Sequence, residues 1–136
     1  MNYFNDIILD NEHFIDLPDC ISEANDYKET IEKSFAISQG LLTLDSFVGE
    51  KNNDEFKFTL VVNGRKENFS VRIISDYVDS ENLLAGLNDI LKNSGYEGDR
   101  HFCDINGDVA DFGIAFISPL KENELASQGL IYRQID

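Results

Sequence analysis

The chain has no tryptophan, two prolines, two cysteines and only 11 basic residues against 26 acidic ones. Cys20 and Cys103 are too few for a disulfide framework, so both thiols are expected to stay reduced and the fold to rest on an apolar core. No stretch approaches the roughly 18 consecutive apolar residues of a membrane helix. The opening "MNYFNDIILDNEHF" lacks the basic lead of a signal peptide and its apolar run stops at Leu9, so a cytoplasmic protein without a membrane partner is expected. "GYEG" has neither the lysine nor the strand–loop–helix setting of a phosphate loop. A formal charge of −15 at pH 7 repels nucleic acid.

What is present is enough for one core. Hydrophobic residues make up 42% of 136 positions, with ten Phe and five Tyr, and a single domain over residues 1–136 is expected. A chain of that length buries roughly 65–70% of its unfolded surface, so no metal or cofactor is required to hold it together, and a monomer or weak homodimer is expected.

Between Pro18 and Gly40, Ile21, Ala24, Tyr27, Ile31, Phe35 and Ser38 advance by three or four, which predicts a helix with Glu23, Asp26 and Glu29 beside the apolar stripe. "EFKFTLVVNGRKENFSVRII" sets two alternating runs about Asn63-Gly64, a pair whose tolerance of positive φ favours a two-residue hairpin turn. That turn places Val62 opposite Arg65, Phe58 opposite Phe69 and Phe56 opposite Val71 on a core face, with Lys57, Ser70 and Arg72 on the other. "LTLDSFVG" adds a strand through the polar "EKNNDE". A second helix follows, with Ser80 as its cap and Leu83, Leu84, Leu87, Ile90 and Leu91 as its stripe. Residues 101–105 and 112–118 form a further strand pair, and Ser118-Pro119 opens a short third helix that exits at Gly129. The expected fold is α+β: an antiparallel sheet of about four to five strands with two or three helices on one face.

"HFCDINGDVADF", residues 101–112, is the stretch closest to a chemical site. As a calcium loop it offers Asp104, Asn106 and Asp108, but Val109 replaces the turn glycine and Ala115 the bidentate glutamate. As zinc ligands, His13, Cys20, His101 and Cys103 lack the close paired spacing of structural sites. As a catalytic pair, His101 and Cys103 are two apart on a strand, roughly 6–7 Å between Cα atoms, with no orienting third group marked. Cys103 is therefore expected as a small buried hydrophobe and His101 as a partly solvated edge residue, with no metal. The stretch then reads as an acidic hairpin tip.

Glu97, Asp99, Asp104, Asp108 and Asp111 gather around that tip, and Glu23, Asp26 and Glu29 line the first helix, inside an N-terminal segment holding nine acids in 32 residues against Lys28 alone. In size, charge and architecture the whole chain resembles the immunity proteins of bacterial polymorphic and contact-dependent toxin systems. The resemblance implies a stoichiometric inhibitor, not an enzyme, whose carboxylates meet a basic toxin domain, typically a nuclease, and speed its capture. The rival readings are a small-molecule-binding or enzymatic α+β domain whose acidity is incidental, and an adaptor that binds through a sheet edge.

Overall fold

A computed structural model describes residues 14–16, 20–75, 77–106 and 112–127. Asp26–Ala36 forms α1. The Asp26 carboxylate accepts from the backbone N–H groups of Ser22 (2.8 Å) and Glu23 (3.1 Å), which closes the turn leading into the helix. The regular helix is shorter than the 18–40 periodicity suggests, because residues 23–28 enter through tight i→i−3 turns. The apolar spacing nevertheless holds across those turns: Ile21, Ala24, Tyr27, Ile31, Phe35 and Ser38 are all buried. Buried Ser38 is satisfied locally, since its hydroxyl donates to Phe35 O and accepts from Leu42 N–H. The chain leaves through Gln39 and Gly40, both at positive φ.

β2 (Leu44–Asn52), β3 (Glu55–Val62) and β4 (Arg65–Arg72) form an antiparallel meander. The β3–β4 register is Val62–Arg65, Phe58–Phe69 and Phe56–Val71, and Asn63 and Gly64 both take the positive φ that the hairpin turn needs. Asn63 also stitches the turn to the entry of β2, accepting from Thr43 N–H and donating to Leu41 O. β2 and β3 run on through most of "EKNNDE": Asn52 pairs with Glu55, leaving a two-residue turn with Asn53 at φ 58°.

α2 spans Ser80–Asn93, and its N-cap is Asp79, one residue before the expected Ser80. Leu83, Leu87, Ile90 and Leu91 are buried, and Leu84 is half-buried against them. Gly86 allows the helix to lie on β4, because a Cβ there would come within 2.4 Å of the Phe69 ring.

β5 (His101–Asn106) and β6 (Phe112–Ile117) pair as expected, and α3 covers Pro119–Ser127 with the Ser118 hydroxyl accepting from Lys121 N–H at its start. A strand the sequence reading did not assign, β1 (Phe14–Asp16), pairs with the free side of β6, so β6 is central in the order β1-β6-β5. Its segment from Gly113 to Ile117 is accordingly buried throughout.

The class is α+β, with antiparallel sheets and three helices among the described residues. The six described strands divide into two three-stranded sheets in place of one sheet of four or five. Nor do the helices share one face of a single sheet: α1 packs on β2 of one sheet and on β1 and β6 of the other, while α2 joins β4 to β5. Side chains from both sheets and both helices meet in one buried cluster.

Candidate functional site

β5 is the strand on which the chemistry-bearing residues converge. It is an edge of its sheet among the described strands, and at Phe102 its outward backbone groups are met by a side chain: Asn88 of α2 accepts from Phe102 N–H (2.8 Å) and donates to Phe102 O (2.9 Å). At that residue the amide takes the pairing positions that another strand would use. On the α2 side, the Phe102 ring stacks at a tilt against Phe116, centroids 4.9 Å apart.

Strand alternation sends Phe102 and Asp104 to one face and His101 and Cys103 to the other. On that second face a third group arrives from α3. Pro119 starts the helix, Ser118 caps it, and the Glu122 N–H bonds to Ser118 O, which fixes Glu122 in the first turn. Its carboxylate, 5% exposed, lies 2.9 Å from His101 Nε2, and the imidazole is 35% exposed. Cys103 is buried, and one ligand atom from each of His101, Cys103 and Glu122 lies within 4.8 Å of the others. Cys103 is thus the buried thiol and His101 the partly solvated edge residue expected. Glu122 is the orienting group that the sequence did not mark. As one of 26 acids, it is singled out only by its place after Ser118-Pro119.

Asp104 is the candidate carboxylate with the most altered chemistry. It is half-buried near the start of α2, one of its oxygens is buried with no hydrogen-bond partner among the described residues, and the Ser80 side chain bonds the carboxyl. Burial pushes its pKa up to about 6, and the Ser80 bond only partly offsets this. An acid with a raised pKa is held in its protonated form by the fold. It therefore adds stability below the ordinary Asp range, and that contribution is lost as pH rises through about 6. Asp104→Asn should raise stability at pH 7 by about 1–2 kcal/mol after allowance for partial exposure, and should flatten the gain on acidification between about pH 6 and 4. Urea unfolding of both proteins across that range checks it. An unchanged midpoint at pH 7 would mean the carboxylate is solvated in place.

The remaining candidates lie apart. Glu97 and Asp99 are exposed in the loop before β5, anchored where Arg100 donates to Gln39 Oε1 (2.9 Å), three residues past the end of α1. Asp108 and Asp111 fall in 107–111, outside the described residues. In sequence, the six residues of β5 stand between Glu97–Asp99 and that connection. Glu23, Asp26 and Glu29 are exposed at the opening of α1, where Asp26 serves the turn and Glu29 pairs with Lys33 at 3.0 Å. Glu23, Glu97 and Asp99 form no ion pair with any described residue. No helix among the described residues is long and apolar enough to cross a membrane. Comparison with protein-family models, with curated proteins and with solved structures finds nothing that matches this chain.

Proposed function

We propose that this chain is an acidic inhibitor of the immunity-protein type, which binds and neutralises a basic bacterial toxin domain, a nuclease, in the cytoplasm and acts by occupancy without catalysis. The observation that carries the reading is a net charge of −15 of which exposed Glu23, Glu97 and Asp99 are left without ion partners among the described residues. Solubility asks a small domain for a net charge of only about 2–8 in magnitude, so most of this field serves something else. A field of that sign speeds the capture of a cationic surface, and carboxylates can occupy positions that substrate phosphates take on a nuclease.

The acidic candidates on either side of β5 in sequence give the proposal separate groups to test. Glu97→Gln with Asp99→Asn alters one, Asp108→Asn with Asp111→Asn the other, and Glu23→Gln with Glu29→Gln the start of α1. Asp26 is left intact because it holds the turn before α1. Where a basic toxin domain is encoded beside the gene, at least one pair should slow association with it at low salt, the difference shrinking at high salt. If the wild-type chain neither binds nor inhibits that domain at any salt concentration, the inhibitor reading is wrong. Binding that no pair changes would place the interface elsewhere.

A further inference from the structure

We propose that His101, Cys103 and Glu122 form a binding site for a thiophilic divalent transition metal of the zinc type, with a fourth position open to water or to an outside ligand. The three side chains supply nitrogen, sulfur and oxygen, the donor set of a three-ligand zinc site. Magnesium and calcium take oxygen ligands and do not use a thiolate, so the set selects against them. Zinc bonds of about 2.0–2.3 Å place tetrahedral ligands some 3.3–3.7 Å apart. The trio lies within 4.8 Å and its His101–Glu122 edge is 2.9 Å, so the ligand atoms are within about 1 Å of the separations that geometry asks for.

Burial and charge point the same way. Two groups that can carry negative charge, the Cys103 thiolate and the Glu122 carboxylate, are almost wholly withdrawn from water at neighbouring positions. A divalent cation neutralises both, with neutral His101 as third ligand, and the half-exposed imidazole leaves an approach for an ion. A cysteine nucleophile fits the same residues less well. Cys103 is 5% exposed, which leaves a substrate little access to its sulfur, whereas a single ion needs only the approach beside the partly exposed imidazole.

The reduced, metal-stripped chain titrated with Co²⁺ should take up one ion with a thiolate-to-cobalt charge-transfer band in the near ultraviolet, and Zn²⁺ should displace it. Cys103→Ser should abolish the band, and Cys20→Ser should keep it. His101→Gln, at a half-exposed position that leaves the core intact, and Glu122→Gln should each weaken binding by at least the roughly 10–100-fold that loss of even a supporting partner costs at metal sites. Circular dichroism establishes that each variant is folded, and the His101 variant decides the matter if the Glu122 variant is not. Absence of Co²⁺ uptake, uptake without the band, or a band that His101→Gln leaves at full affinity would overturn the site.

Discussion

Phe58→Ala should lower the stability of the chain by about 3–5 kcal/mol, whereas Lys57→Ala, one residue away on the same strand, should cost under about 0.5 kcal/mol. Phe58 is 1% exposed and is the hub of an aromatic group, with ring centroids 5.2 Å from Tyr27, 5.4 Å from Phe47 and 5.1 Å from Phe69. Those contacts join β2, β3, β4 and α1, so none of the four can close the vacated space without pulling on the other three, and the cavity term stays large. Lys57 points from the opposite face into solvent. In thermal melts the Phe58 variant should drop by on the order of 10–20 °C and the Lys57 variant by no more than a few degrees. Equal, mild effects would mean that the two faces of β3 are not distinguished by burial.

That contrast was legible in the sequence because the β3–β4 hairpin is specified locally. Asn63-Gly64 accepts positive φ at both positions, the two-residue turn fixes the register, and a register with period two fixes the faces. The helical stripes were legible for the same reason: Ile21, Ala24, Tyr27, Ile31, Phe35 and Ser38 record burial whether or not every flanking turn is α-helical. Long-range pairing was not legible. β1 has three residues and finds β6 about a hundred positions later, so no local pattern announces it. Without β1 the final hairpin reads as an extension of the first sheet; with it, β6 becomes the centre of a second sheet that α1 and α2 tie to the first. The candidate site divides along the same line. His101 and Cys103 stood out through strand spacing, while Glu122 joins them only because α3 folds back from β6.

The cap of α2 shows the same limit at a single residue, and it yields the second large effect. Ser80 and Asp79 both suit an N-cap, and local preference does not choose between them. Tertiary donors do. The buried Asp79 carboxylate accepts from Arg72 N–H (2.8 Å), from Asn82 N–H (3.4 Å) and from the Asn82 side-chain amide (2.6 Å), and it faces Arg72 Nε at 3.5 Å. The Asp79 N–H in turn donates to the Tyr27 hydroxyl at 2.9 Å, so one residue fastens α1, β4 and α2 together. Burial alone would push the carboxyl upward. The bonds from Asn82 and Arg72 outweigh it, and the pKa is held below the ordinary Asp value. An acid depressed in the folded state adds stability that is present above its unfolded pKa, near 3.9, and is lost as pH falls through the folded one. Asp79→Ala removes the helix cap and leaves the Arg72 and Asn82 donors short of an acceptor, for a loss of about 2–4 kcal/mol at neutral pH. Asp79→Asn retains one acceptor oxygen and should fall between. The gap between wild type and Asp79→Ala should hold from pH 7 down to about 5 and narrow steeply below pH 4, opposite in direction to the Asp104 contribution, which grows on acidification. Urea midpoints measured from pH 7 to 3 separate the two carboxylates. A gap that stays constant down to pH 3 would mean that Asp79 acts through shape alone and not through its charge.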